Sequence, residues 1–239
     1  NGAILVTTKG GKSGRGIGLE VSSNFLAENL LINEFKDYQY EYGPGDKGNK
    51  PTTVKEAVTF ANYNWGPKLD GSGVIQFDGV TRPYTAQKDN LKKFYQTGTT
   101  FTNSAAFTGA SETTTFRFSM NNMDNHGVMP NSRLHRNNFA LNVNSNLGKK
   151  LTIVTNMKYV YEKVKNRPRL SDSPGNANYS LYTLGSAMNV EDLSGANKYD
   201  DNGYEKLWND NIYVTNPYYA AYDFQNNSQK NRVIGSIEP

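Results

Sequence analysis

The 239-residue chain contains no cysteine and only two histidines. Without cysteine it can form neither disulfide bonds nor thiolate metal sites of its own. Hydrophobic residues make up 36% of the sequence, below the roughly 45–50% of typical globular domains. No apolar run approaches the roughly 18 residues that a membrane-spanning helix needs, so the sequence predicts no such helix. The mean hydropathy of −0.71 is not the profile of an enzyme with a thick apolar core.

The charge distribution and the few histidines argue against nucleic-acid binding, metal binding and catalysis. The net charge is +4 and the basic residues are scattered along the chain, so we expect no nucleic-acid partner. His126 and His135 lack a third ligand in a suitable pattern, so we expect no metal site. No cysteine or histidine lies beside a convincing nucleophile or carboxylate pair. We therefore expect a protein that is not an enzyme and needs no cofactor.

Apolar and polar residues alternate with period two in several segments. The clearest of these are 17–25, 116–121, 139–144 and 151–162. Such segments are strands with one apolar and one polar face. Short turns at 110–112 and 146–148 join neighbouring strands, whereas long connections are expected at about 30–97, 122–135 and 164–230. Short turns that alternate with long loops are typical of outer-membrane β-barrels, and the pattern predicts an all-β chain.

Motifs distributed along most of the chain resemble one family of proteins. The opening run Asn1–Gly11 contains Asn1, Gly2, Ile4, Leu5, Thr7 and Thr8, and it resembles the last strand of the plug domain in TonB-dependent outer-membrane transporters of the SusC/RagA type. Further resemblances to this family follow in the expected order, at 65–71, 102–110, 116–132 and 136–139. Met123 and His126 depart from the commoner Tyr and Glu of the family. Each motif is weak alone, but their order makes the resemblance specific.

This resemblance implies a fold and a domain organisation. Residues 1–13 would be the C-terminal strand of the plug domain with its linker. Residues 14–239 would be the N-terminal part of a transmembrane antiparallel β-barrel, with about six strands of a barrel of roughly 22. About six strands are fewer than the roughly eight of the smallest closed barrels, so an internal fragment of a longer protein is expected.

The same resemblance implies a function and a set of partners. It implies import of glycan or peptide oligomers across the outer membrane of a Bacteroidota-type bacterium. The implied partners are a SusD-like surface lipoprotein, the TonB–ExbB–ExbD energy system, whose contact site lies outside this chain, and outer-membrane lipid or lipopolysaccharide.

Aromatic residues in the expected loops are candidates for substrate binding. The residues selected are Tyr63 and Trp65 in the first loop and Trp208 and Tyr218 in the third. Flat aromatic faces can pack on sugar rings or on peptide side chains. The same aromatics could instead anchor the loops against one another or against the membrane interface.

A basic run just beyond the fifth strand has two interpretations. Lys163, Lys165, Arg167 and Arg169 could contact lipopolysaccharide phosphates, or they could form the solvated base of a loop. Two other functions also remain open for the chain as a whole. One is a soluble β-sandwich carbohydrate-binding module, and the other is a fragment of a β-rich glycoside hydrolase.

Overall fold

In the computed structural model, the structure describes residues 16–31 and 38–239. The expected plug strand, with Asn1, Gly2, Ile4, Leu5, Thr7 and Thr8, lies outside the described residues. The chain is 43% strand and 14% helix, so the expected all-β character is confirmed. No helix among the described residues has the length and apolar character to cross a membrane.

Six long strands form one antiparallel sheet in the order β1-β4-β5-β6-β7-β8. Their bounds are β1 Gly16–Glu28, β4 Gly98–Ala110, β5 Thr114–His126, β6 Arg133–Leu147, β7 Leu151–Lys165 and β8 Ser228–Glu238. A second, two-stranded sheet consists of β2 Gly73–Ile75 and β3 Thr81–Pro83. Within the described residues the large sheet is open, with β1 and β8 at its edges.

All long connections leave the same end of the sheet. The first long loop (29–97) contains helices α1 Val54–Thr59 and α2 Asn90–Phe94 together with the small sheet. The third loop (166–227) contains α3 Ala177–Tyr182, α4 Pro217–Tyr222 and two 3₁₀ helices, Val190–Leu193 and Gly195–Lys198. The short turns 111–113 and 148–150 lie at the opposite end.

The connection expected at 122–135 is shorter than the sequence suggested. Strand β5 continues to His126 and β6 begins at Arg133, which leaves only the six-residue middle loop (127–132). The polar segment up to His126 resembles a loop in composition, but its residues pair in register with β4 and β6. Because this pairing satisfies the backbone groups, the segment stays extended despite its polarity. His126 and His135 therefore lie on strands rather than in a loop.

The two faces of the large sheet differ in chemistry, as the period-two alternation predicts. One face, the apolar face, carries a band of large hydrophobic side chains across all six strands. Its main members are Leu19, Val21, Phe107, Phe116, Phe118, Met120, Phe139, Leu141, Ile153, Met157, Tyr159, Val233 and Ile237. The opposite face, the polar face, carries Ser, Thr and Asn together with ion pairs. Two of these pairs join Arg117 to Glu20 and Arg136 to Glu162.

The hydrophobic core of the described chain lies in the loops and not on the sheet. The first, middle and third loops together contribute a cluster of buried residues that includes Phe77, Phe94, Met129, Leu181, Met188, Leu193 and Trp208. Among the buried hydrophobic residues, the large sheet supplies only Ala106 and Val164. Few side chains of the sheet are thus fully buried and most are partly or fully exposed, while the loops form a packed body at one end of it.

Asparagine side chains cap the N-termini of helices α3 and α4 in the third loop. Asn176 accepts a hydrogen bond from the Asn178 N–H at 3.0 Å, which caps α3. Asn216 accepts from the Tyr218 N–H at 2.9 Å and the Tyr219 N–H at 3.2 Å, and Pro217 follows as the first residue of α4. Asparagine at the cap and proline at the first helical position are favoured helix-start residues. The caps fix where each short helix presents its tyrosines.

Candidate ligand-binding site

A cavity of about 600 Å³ lies between the first and third long loops. Among the described residues, its walls are aromatic, amide, hydroxyl and leucine side chains with one cation and no carboxylate. The lining includes Tyr38, Tyr40, Asn62, Tyr63, Asn64, Gln87, Lys88, Asn90, Tyr179, Tyr182, Ser186 and Asn211. A cavity of this size is within the range of small-molecule sites. Tyr38, Leu91, Tyr179 and Tyr182 also line a second cavity of about 470 Å³, so the two are neighbours.

Tyrosine rings from both loops meet at the cavity. The ring centroids of Tyr38 and Tyr40 lie 6.4 Å apart with an interplanar angle of 25°, a stacked arrangement. Tyr182 meets Tyr38 edge-to-face, with the ring centroids 6.1 Å apart. The Nζ atom of Lys88 lies 5.5 Å from the centroid of the Tyr40 ring, where the cation is attracted to the ring face. Burial raises the pKa of Tyr38 and Tyr40, so both hydroxyls remain protonated donors near neutral pH.

Amide side chains hold the two loops together beside the cavity. The Oδ1 atom of Asn64 accepts from the N–H of Ser186 at 2.9 Å and from its hydroxyl at 3.1 Å. Asn90 donates to the carbonyl of Met188 at 2.8 Å and accepts from the Val190 N–H at 2.9 Å. These hydrogen bonds join residues about a hundred positions apart in sequence. They fix one wall of the cavity before any ligand arrives.

A three-residue ion-pair cluster also joins the two loops. Arg82 donates two hydrogen bonds of 2.7 Å to the carboxylate of Asp78, and its Nε lies 2.9 Å from Asp192. Burial raises the pKa of Asp78, but the Arg82 hydrogen bonds, the hydrogen bond from the Val80 N–H and the charge of Arg82 together outweigh it and hold that pKa below the usual range. Burial raises the pKa of Asp192, and the charge of Arg82 opposes that rise. The cluster therefore attaches the small sheet to the 3₁₀ helix at 190–193.

The Trp65–Gly71 motif builds a tight enclosure around Tyr84. The Tyr84 hydroxyl donates to the carbonyl of Pro44 at 3.0 Å, and burial raises the pKa of Tyr84 to about 12. A Cβ at Gly66 would stand 2.4 Å from the Tyr84 hydroxyl oxygen, so only glycine fits there. Asp70 accepts from Lys50 at 2.6 Å and from the Ser72 N–H at 3.0 Å, which lowers its pKa to about 2. The residues of this motif thus have a role in folding the first loop, because Gly66 leaves room for Tyr84 and Asp70 pairs with Lys50.

Of the four aromatic residues selected from the sequence as candidates for substrate binding, one lines the cavity. Tyr63 lines the cavity. Trp65 is 71% exposed and lies outside it, and Tyr218 packs edge-to-face on Phe94 with ring centroids 5.1 Å apart. Trp208 is 1% exposed and belongs to the loop core. The placements of Trp208 and Tyr218 indicate loop anchoring, and only Tyr63 is carried into the candidate site.

Several cavity residues were not selected from the sequence. Tyr38, Tyr40, Tyr179, Tyr182 and Lys88 come together from distant parts of the two loops. The available signal was the density of tyrosine in both loops, which does not distinguish rings that line a cavity from rings that enter a core.

Within the described part of the chain, no group of three or more His, Asp and Glu side chains is arranged to hold a metal ion. No family profile matches the sequence, and no curated protein matches it.

Proposed function

We propose that the chain is part of a TonB-dependent outer-membrane transporter of the SusC/RagA type. The observation that carries this proposal is the two-faced sheet. Six antiparallel strands place an exposed hydrophobic band on one face and hydrogen-bonded polar and charged groups on the other. In an outer-membrane barrel the apolar face lies against lipid and the polar face lines the lumen. A soluble sheet would instead bury its apolar face in a core.

The arrangement of the connections supports the same proposal. Two short turns lie at one end of the sheet, and the packed body of long loops lies at the other. Outer-membrane barrels have short periplasmic turns and longer extracellular loops. We therefore assign the loop body to the extracellular side, where a SusD-like lipoprotein would deliver substrate. Energy from TonB would then displace the plug and open the lumen.

The cavity between the first and third loops is the proposed place of substrate contact. Its tyrosine faces suit sugar rings or apolar side chains, and its amides and hydroxyls supply directional hydrogen bonds. The part of the lining that the structure describes has one cation and no carboxylate, so it suits neutral or weakly anionic oligomers better than cationic ones. The mechanism assigned to this chain is capture and orientation of an oligomer before it enters the lumen.

Replacement of Tyr182 by alanine tests this role. The Tyr182 ring is 65% exposed and lines both cavities, so its loss removes stacking surface without opening the core. We expect about tenfold weaker binding of the imported oligomer by the purified parent transporter. The measurement is calorimetry against a panel of maltooligosaccharides, xylooligosaccharides and tryptic peptides, with uptake measured in cells.

Tyr204 provides the matched control for this experiment. It lies in the same loop and is 71% exposed, but it lines neither cavity. Tyr204→Ala is expected to leave binding and uptake unchanged. Equal binding by the two variants would remove the cavity from the proposal.

The alternative of a soluble β-sandwich module has less support. A sandwich needs a second sheet packed on the first. Among the described residues, the only other sheet is the two-stranded β2–β3 pair within the first loop. The apolar face of the large sheet has no such partner there.

A further inference from the structure

A group of cations lies on the apolar face, at the end of the sheet nearest the loops. Its members are Arg133 at the start of β6 and Lys163 and Lys165 at the end of β7, and we call them the cationic surface. All three side chains are exposed. His126 and His135 flank the group on the same face.

The strand register places one pair of like charges against each other in this surface, because Arg133 pairs directly with Lys165. Lys163 pairs with the imidazole of His135. Like charges at opposed positions on neighbouring strands destabilise a sheet. An arrangement of this kind is expected where an anion from outside the sheet supplies the missing charge.

Carboxylates near the cationic surface are few. Asp124 is opposed to His135 and is the one acidic residue on the same face in these rows of β5, β6, β7 and β8. Glu162 lies on the polar face, where it pairs with Arg136. Lys165 donates to the neutral amide of Asn131 at 2.8 Å, and among the described residues no salt bridge includes Arg133 or Lys163. The surface therefore carries excess positive charge.

The position of the cationic surface follows a gradient along the apolar face. On β7, Met157 and Tyr159 belong to the hydrophobic band, Tyr161 follows, and Lys163 and Lys165 come last. Lys163 lies about 13 Å beyond Tyr159 along the strand.

A row of amides crosses the sheet between the band and the cations. In it, Ser23 donates to Asn103 at 2.8 Å, and Asn122 donates to Asn137 at 2.8 Å. On β6 and β7 the order is therefore hydrocarbon, then amide or tyrosine, then cation, whereas Phe25 on β1 and Phe101 on β4 lie in the same row as Lys163. The order on β6 and β7 follows that of a membrane leaflet, in which the acyl chains lie inside and the phosphates lie at the surface.

We propose that the cationic surface binds the phosphate groups of a phosphorylated glycolipid of the lipid A class in the outer leaflet. The inference rests on the proposed function, because it requires the apolar face to contact lipid. Phosphate oxygens accept charge-assisted hydrogen bonds from lysine and arginine, and the acyl chains of the same molecule cover the hydrophobic band below. One ligand thus satisfies both the unpaired charge and the exposed apolar surface.

The test compares two double variants of the parent transporter. Lys163→Gln with Lys165→Gln removes two cations from the proposed site, whereas Lys149→Gln with Lys150→Gln removes two exposed lysines beside the opposite end of β7. Binding of purified lipid A to the protein in phosphatidylcholine nanodiscs is measured directly. The first variant is expected to bind about 30-fold more weakly, and the control within twofold of the wild type.

Two further probes identify the chemistry. Lipid A from which the phosphates have been removed should bind the wild type as weakly as phosphorylated lipid A binds the Lys163→Gln, Lys165→Gln variant. Inorganic phosphate alone should compete only at far higher concentration, because it lacks the acyl chains. Wild-type affinity for lipid A should also fall as salt is raised.

Stability separates loss of the site from loss of folding. Because the opposed like-charge contact between Arg133 and Lys165 disappears, the Lys163→Gln, Lys165→Gln variant should unfold at the same or a higher temperature than the wild type while binding less. Lys163→Arg with Lys165→Arg should retain binding.

Equal lipid A binding by the two glutamine variants overturns the inference, as does equal binding of dephosphorylated lipid A. Both results would leave the transporter proposal intact if the protein still enters nanodiscs and imports substrate. A wild-type protein that does not enter a bilayer would overturn both.

Discussion

Replacing Met157 by arginine is expected to prevent stable assembly of the parent protein in the outer membrane. Met157 lies at the centre of the hydrophobic band, opposed to Leu141 on one side and Gly235 on the other. A charged side chain on the lipid face near the bilayer centre costs about 2–4 kcal/mol. The measurement is the amount of heat-modifiable, folded protein in purified outer membranes, together with its urea midpoint after refolding into vesicles.

The adjacent residue provides a control on the same strand. Asn156 points to the polar face, and its opposed residues, Asn142 and Ser236, are uncharged. In the proposed barrel an arginine at this position stays in the hydrated lumen, so Asn156→Arg is expected to assemble nearly as well as the wild type. A larger defect in Asn156→Arg than in Met157→Arg would reverse the assignment of the two faces.

Replacing Trp208 by alanine is expected to unfold the loop body. Trp208 is enclosed in a core to which all three loops contribute, so truncation leaves a large cavity. Truncation of a buried tryptophan or phenylalanine typically costs about 3–5 kcal/mol. The readout is cleavage of the loops by a low concentration of protease, with uptake as the functional measurement. We expect rapid cleavage within residues 166–227 and loss of uptake, while the sheet remains protected.

The other of the chain's two tryptophans, Trp65, provides the control for Trp208→Ala. Trp65 is 71% exposed, and Trp65→Ala should leave protease resistance unchanged. Trp208→Phe retains a buried aromatic ring and leaves a smaller void than alanine, and the Nε1–H that it removes has no hydrogen-bond partner among the described residues, so it should be the milder variant. Equal protease resistance in Trp208→Ala and Trp65→Ala would show that the loop core does not depend on Trp208.

The strands were predictable because their signal is local. Alternation such as that of Leu141 with Asn142 fixes both the element and the face, and each short turn then places the next strand beside it. The error at 122–135 arose where Asn and Asp occupy strand positions. Composition alone indicated a loop there, whereas pairing of Asn122 with Asn103 and Asn137 keeps the backbone extended.

The loop body was not predictable in the same way. Trp65 and Trp208 look alike in sequence, yet one is exposed and the other is enclosed. The difference depends on contacts between segments more than a hundred residues apart, such as the hydrogen bond from the Ser186 N–H to Asn64. The spacing of apolar residues along the sequence carries no information about such long-range contacts. The structure was therefore needed to tell the tyrosines that line the cavity from those that enter the core.

A single-cysteine scan along β7 tests the central claim most directly. None of residues 153–160 is cysteine. Each is replaced in turn by cysteine and spin-labelled in a parent protein free of other cysteines, reconstituted in vesicles. We expect a period of two, with Ile153, Thr155, Met157 and Tyr159 accessible to oxygen dissolved in lipid. Val154, Asn156, Lys158 and Val160 should instead be accessible to a water-soluble nickel reagent. Uniform accessibility to the nickel reagent at all eight positions would contradict the claim that the apolar face contacts the membrane.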